Sequence, residues 1–363
     1  MTSDRVRIGI IGTGFARQAQ IPAFRTIDGA EVVAITSGHR ENAERVAQEF
    51  GIPHVCNNFE ELVSLDQVNL VSIASPPHLH RPMTLAALAS GKHVLLEKPM
   101  ALNVVEAREM TQAAELAGVL NIVDYELRFN PSRQKMKRLI EEGYLGRLYH
   151  VTATVTSGFR GSAERPWNWW SQQAAGGGLL GAIGSHMIDL FLWLFGDIQA
   201  VCGQLRTFVQ ERPDPKTGEL RPVDSDDYAS ILFKFSDQLS ESSGTLTLSA
   251  VAGPGGENHI IAVGESGTLI LDAHSRLWGA RRGARQLADL SVPDPAIELP
   301  GITDNIWARS FVHIAREIVQ ALQEDRTEFP DAPTFRSGLH VQAVMDAIYE
   351  SSRTGRWVTL AGD

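Results

Sequence analysis

The sequence predicts an α/β domain with a doubly wound parallel sheet, followed by an α+β domain built on a largely antiparallel sheet. Three observations carry this. Strand-like and helix-like segments alternate to about residue 125, and alternation of that kind implies a parallel sheet with right-handed crossovers. A glycine turn, Gly12-Thr13-Gly14, joins the first strand to the first helix. After Asn130-Pro131 the pattern changes to a series of β-like runs closed by two long helices.

In the first half, short apolar runs mark strands at 6–11, 31–36, 69–74, 93–96 and 120–124. Helical segments read at 15–27, 40–50, 79–90 and 103–117, with Gly91 and Gly118 punctuating two of their C-termini. In the second half, a helix from Ser132 to Glu142 leads through Gly143 and Gly146 to a strand, Leu148 to Thr156. A glycine- and tryptophan-rich segment, 158–178, precedes an apolar helix at 179–195. β-like runs follow at 199–209, 227–235, 244–251, 258–263 and 267–271. They alternate imperfectly, which suggests a sheet with one covered face. Asp214 to Gly218 reads as a turn, and 281–305 as an irregular surface excursion. Helices at 306–323 and 336–352 close the chain. The reading divides the chain into domains 1–125 and 126–363.

Composition bounds the function. The chain has 363 residues, 43% hydrophobic and 21% charged, as expected for a soluble two-domain protein. A net charge of −10 without a basic tract argues against nucleic acid or an acidic membrane as partner. The two cysteines, Cys56 and Cys202, have no metal-ligand spacing, so a reducing, cytoplasmic setting is expected and a metal site is not. Met1 to Arg5 contains no apolar signal-peptide core. Leu179 to Phe195 carries Ser185, His186 and Asp189, and reads as a buried helix rather than a membrane span.

The chemistry starts at the glycine turn. Gly12 permits the tight turn, and Gly14 lets a pyrophosphate approach the backbone and the helix N-terminus. Thr13, Phe15 and Ala16 complete the candidate phosphate contacts, while Arg17 stands where the dinucleotide fingerprint has its third glycine. Strand, glycine turn, helix and second strand are the context that the fingerprint requires, so a Rossmann domain is expected. The second strand ends in Thr36-Ser37-Gly38-His39-Arg40, with no acid before Glu41. Ser37, His39 and Arg40 suit a ribose 2′-phosphate better than a bare ribose, which favours NADP(H) over NAD(H). The alternative is an Arg40 that sits on the exposed start of the next helix and contacts nothing.

Val94-Leu95-Leu96-Glu97-Lys98-Pro99 is the most informative stretch. An apolar strand ends in an acid, a lysine and a proline. Chemistry in such sheets happens at the carboxyl ends of strands, and Lys98 is the last residue the strand can aim before Pro99 stops it.

Taken in order and spacing, the motifs resemble the glucose–fructose oxidoreductase/inositol dehydrogenase/rhizopine-catabolism (Gfo/Idh/MocA) family nearly end to end. The resemblance rests on Gly12-x-Gly14, Ser75-Pro76-Pro77-His78-Leu79-His80 and Gly91 to Pro99. It continues through Arg128-Phe129-Asn130-Pro131, Gly176-Gly177-Gly178, Gly184 to Asp189, Gly264 to Thr268 and Ala347 to Ser352. It implies a Rossmann domain followed by a domain with an open, mostly antiparallel sheet. It also implies NAD(P)-linked oxidation or reduction of a sugar, cyclitol or related polyol, homodimers or homotetramers, and a cis Lys98–Pro99 bond. A cofactor-binding sensor with little catalysis is the competing reading, and retention of Lys98 and His186 favours the enzyme.

Lys98 and His186 are the catalytic candidates. Lys98 as an ammonium polarises a carbonyl, and as a free amine serves as a general base. Glu97 orients Lys98 or contacts the nicotinamide ribose. By resemblance Ser75, Pro76, His78 and His80 lie along the cofactor, and the pattern gives His186 an acid/base role. Tyr125, Arg128, Trp169, Trp170 and Asp189 are the substrate candidates. Trp167, Trp169 and Trp170 offer indole faces to a sugar ring or serve as packing. The family's acid four residues before the histidine is absent, because Ala182 occupies that position. The expectation is a substrate other than myo-inositol or free glucose, with Lys98 bearing most of the catalysis.

Overall fold

The computed structural model describes residues 5–236 and 242–360. Residues Met1 to Asp4, on which the signal-peptide reading partly rests, lie outside the described residues. The chain forms two compact units: residues 1–130 with 294–339, and residues 131–293 with 340–363. The sequence boundary at 125 falls near the first division. The return of 294–339 to the first unit differs from the division read in the sequence.

The first unit holds a six-stranded parallel sheet. Its strands are β1 (Val6–Ile11), β2 (Ala30–Thr36), β3 (His54–Val55), β4 (Leu70–Ile73), β5 (His93–Leu96) and β6 (Asn121–Val123), in the order β3-β2-β1-β4-β5-β6. Order reverses beside β1, which makes the carboxyl ends of β1 and β4 the switch point. The helices are α1 (Ile21–Phe24), α2 (Arg40–Phe50), α3 (Phe59–Val63), α4 (His80–Ala89) and α5 (Val104–Ala117). Asn58 and Asn103 cap α3 and α5 by accepting backbone N–H bonds. Gly51 and Gly118 end α2 and α5 in the left-handed conformation. The first helical segment is shorter than the sequence suggests. Ala16–Gln20 is a π turn and α1 stops at Phe24. Pro22 has no N–H to extend the usual ladder through this point.

The second unit starts with α6 (Pro131–Glu141) and β7 (Leu148–Thr156), and contains α7 (Ser185–Phe195). Its further strands are β8 (Ile198–Arg206), β9 (Glu211–Pro213), β10 (Leu220–Pro222), β11 (Tyr228–Phe235), β12 (Ser243–Ser249), β13 (Asn258–Gly264), β14 (Gly267–Leu271), β15 (Leu277–Arg281), β16 (Ala288–Asp289) and β17 (Val358–Thr359). Eight of these and β7 form one sheet, β16-β15-β14-β13-β7-β12-β11-β8-β17, antiparallel at every pairing except β12 with β7. The strands alternate buried and more exposed residues, as a sheet with one covered face requires. α7 belongs to the core. The run Gln173–Phe195 that ends in α7 is long and apolar enough to cross a bilayer, yet 83% of its most apolar 18-residue window is buried in the fold.

Two long helices follow, α8 (Ile306–Gln323) and α9 (Phe335–Thr354). α8 completes the first unit's core, where Phe311 meets Phe24 edge-on at 5.5 Å and Phe15 at 6.4 Å. The Ser351-Ser352 pair of α9 has a structural task. Their hydroxyls accept the backbone N–H groups of Gly203 and Leu205 at 2.9 Å, closing part of the β8 edge.

Candidate functional site

The glycine turn is built for close approach. Gly12 has φ +113°, and a Cβ there would collide with the Ala74 carbonyl. Gly14 is exposed, with no atom near the place a Cβ would occupy. Thr13 and Phe15 flank it, and Ala16 is fully buried at the start of the π turn. Across the turn, Ser75 Oγ is buried without a protein partner. An open backbone approach beside an unsatisfied hydroxyl fits the pyrophosphate arm of a dinucleotide.

The β2 end carries the adenosine-side candidates. The Thr13 and Ser37 hydroxyls lie 3.4 Å apart, and His39 and Arg40 are exposed. Arg40 is not idle. Its Nε donates to Glu44 at 2.8 Å and its Nη1 to Asn57 Oδ1. Exposed pairs of this kind contribute little, so they do not bar a stronger phosphate contact.

In the Ser75 loop, Pro76 and His78 remain accessible, whereas His80 is fully buried. Its ring joins the Ser75 carbonyl at 2.9 Å to the Pro99 and Met100 carbonyls at 3.0 and 3.3 Å. Burial pushes its pKa down to about 4, against the three carbonyl contacts that raise it. His80 therefore ties the Ser75 loop to the segment after Lys98 through backbone contacts. This is a different role from the direct cofactor contact expected of it.

Lys98 is half-buried at the end of β5, and the Lys98–Pro99 bond is cis. Behind it is a buried polar network. Ser72 Oγ donates to Gln20 Oε1 at 2.7 Å, which turns Gln20 Nε2 toward Glu97 Oε1 at 3.0 Å and Asp124 Oδ2 at 3.3 Å. Burial raises the Glu97 pKa against the opposing charge of Lys98, and burial with the charges of Glu126 and Glu97 holds Asp124 well above its usual range. Sequence reasoning named Glu97 and missed Gln20, Ser72 and Asp124. The available signals were a buried serine inside an apolar strand, an acid directly after β6 and a glutamine in the first helical segment.

Tyr125 and Arg128 follow β6 and are both buried; Arg128 Nη1 donates to the Asp331 carbonyl at 3.3 Å. In the second unit, His186 and Asp189 are each 1% exposed on α7. The segment before α7, Leu180–Gly184, is a π turn rather than part of a continuous α-helix, and Ala182 is buried within it. Asp226 holds the start of that turn: its Oδ2 accepts from Leu180 N at 2.8 Å and its carbonyl from Leu179 N at 2.9 Å.

The tryptophans divide by role. Arg221 covers Trp167 at 3.4 Å, and Arg160 covers Trp170 at 3.7 Å. Trp169 is half-exposed and packs obliquely on Trp170 at 5.5 Å. A sugar-facing role thus suits Trp169 better than Trp170. Among the described residues no group of three acids, histidines or cysteines is spaced to hold a metal ion.

Comparisons with known proteins give the family. Residues 6–125 match the model of the oxidoreductase family with an NAD-binding Rossmann fold, and residues 133–270 match the GFO/IDH/MocA C-terminal domain. The chain is 33% identical to an uncharacterized oxidoreductase of Synechocystis, covering 99% of this chain and 97% of that protein. It is 30% identical to human glucose-fructose oxidoreductase domain-containing protein 2, over 96% of this chain and 92% of that one. A solved levoglucosan dehydrogenase, in complex with NADH and levoglucosan, superposes with a TM-score of 0.88 at 25% identity, covering 99% of this chain and 100% of that one. The chain belongs to the Gfo/Idh/MocA family and is an NAD-binding oxidoreductase.

Proposed function

We propose that the chain moves a hydride between a nicotinamide cofactor and a hydroxyl or carbonyl carbon of a sugar, cyclitol or related polyol. The observation that carries this is Lys98, aimed from the β5 end of a dinucleotide-binding sheet and backed by buried carboxyls. The levoglucosan dehydrogenase complex supports the sugar class. The dinucleotide, when bound, supplies the hydride chemistry. Gly12, Thr13, Gly14 and Ser75 hold its phosphates. Lys98 binds the substrate oxygen and stabilises or neutralises its developing charge. His186 assists the proton movement, and Trp169 stacks on an apolar sugar face. Ala182 leaves that position without a hydroxyl acceptor, which disfavours myo-inositol and free glucose. The free, unpaired Cys56 and Cys202 support a reducing, cytoplasmic setting. A homodimer or homotetramer rests on the resemblance alone.

A panel of sugars, anhydrosugars and polyols, read by nicotinamide absorbance with both cofactors, tests the reading. Turnover confined to compounds outside that class would sink it. NADP(H) is the favoured cofactor because residues 37–40 contain no acid, although the solved relative is described with NADH. Arg40→Ala should weaken NADP(H) binding by about tenfold, the lower range for a charge-assisted bond, and leave NAD(H) nearly unchanged. Calorimetry showing tighter NAD(H) binding by the unmodified protein would reverse the preference.

A further inference from the structure

The buried carboxyls behind Lys98 pose a charge problem. Asp124 is fully buried and Glu97 is 8% exposed. They are hydrogen-bond neighbours, yet each ionised carboxylate can only accept. Gln20 offers one amide group, and its two N–H bonds are divided between them. In this arrangement Gln20 Oε1 accepts the Ser72 hydroxyl, so only its amide N–H groups face the two carboxyls. Asp124 Oδ1 has no donor among the described protein groups. The charges facing the pair are Glu126 on the Asp124 side and Lys98 on the Glu97 side. Two buried carboxyls that share a single amide donor, with a third acid beside them, do not both ionise. A proton between the two carboxyls supplies the missing donor and removes the repulsion. It belongs mainly to Asp124, the more deeply buried and nearer to Glu126. Glu97 then keeps its charge, and its carboxylate accepts the backbone N–H of Lys98.

We propose that Asp124 is a positioning residue for Lys98: it shares one proton with Glu97 and so fixes the Glu97 carboxylate against the Lys98 backbone. Gln20 and Ser72 complete the brace. The π turn that carries Gln20 follows the glycine turn directly, so the brace runs from the phosphate-binding turn through β4, β6 and β5 to Lys98. The inference rests on the role given to Lys98 above, but its first test does not.

Infrared difference spectroscopy in H₂O and D₂O reads the proton directly. At neutral pH the wild-type protein should show the carbonyl stretch of a protonated carboxylic acid, shifted by deuteration, and Asp124→Asn should lack it. Any signal from Asp226 is common to both proteins and cancels. Identical spectra from the two proteins overturn the shared proton, whether or not any sugar is turned over. The second test uses levoglucosan as probe, with kcat and KM measured separately. Asp124→Leu removes the donor to Glu97 and should lower kcat by about 10- to 100-fold with little change in the KM for the dinucleotide, as misplacement of a reacting group does. Asp124→Asn keeps a donor and should recover most of that loss. An unchanged kcat in Asp124→Leu, or equal losses in both variants, overturns the positioning role. If Asp124→Leu does not fold, the spectral comparison with Asp124→Asn still decides. A band present with no turnover of any sugar would sink the proposed function and leave the shared proton standing.

Discussion

The two catalytic candidates stand in opposite surroundings. Lys98 closes a strand, half-exposed, with buried acids and an amide behind it. His186 sits 1% exposed in a helix whose other buried residues include Met187, Ile188, Leu190 and Phe191. Lys98 faces the opposite charge of Glu97 within the first unit. His186 shares that helix with the buried polar Ser185 and Asp189 as well as its apolar residues. In the function proposed above, Lys98 carries the charge-bearing work and His186 a lesser proton role. Lys98→Met should cost about 100-fold or more in turnover, the usual weight of a positioned acid or base, with dinucleotide binding near normal. His186→Asn should cost about tenfold under the same conditions, below the roughly 100-fold at which a primary acid or base begins. Turnover abolished in the histidine variant and untouched in the lysine variant would invert the comparison.

The same contrast explains what was legible beforehand. Parallel strands buried on both faces read as apolar runs, so β1, β2, β4 and β5 stand within a residue or so of their expected limits. The two-residue β3 and the five-residue α3 are too short to leave a period. β15 was hidden in a glycine- and arginine-rich stretch, and β17 in two residues near the end of the chain. Lys98 was legible because Pro99 punctuates its strand. Asp124 was not, since a single acid after a strand resembles any loop residue until Gln20, 104 positions away, is seen against it. The π turns at Ala16–Gln20 and Leu180–Gly184 left no pattern to distinguish them from α-helix.

Within the first unit, Gly12 and Gly14 sharpen the difference between folding and binding. Gly12→Ala adds a methyl against the Ala74 carbonyl at a left-handed φ, so it should destabilise the protein by about 1–3 kcal/mol in denaturant unfolding. Gly14→Ala meets nothing in the protein and should leave unfolding almost unchanged while weakening dinucleotide binding. Equal stability losses in the two variants would refute the separation.

The smallest expected effect concerns the support of the second unit's helix. Burial, helped by the charge of Asp227, raises the Asp226 carboxyl from 3.8 to about 7, even though the Leu179 and Leu180 N–H groups favour its ionised form. In the unfolded chain the group returns to its ordinary range. Between those two values the folded protein holds a proton that the unfolded chain has released. Stability therefore falls as pH rises through this window and levels off above about pH 7. The raised Glu97 and Asp124 carboxyls act in the same direction, so the wild-type slope alone does not isolate Asp226. Asp226→Asn removes one titrating group and keeps an oxygen for Leu180 N. Its unfolding free energy, followed from about pH 5 to pH 8, should decline less steeply than that of the wild type. Parallel curves would show that Asp226 stays ionised, with the Leu179 and Leu180 N–H groups outweighing its burial.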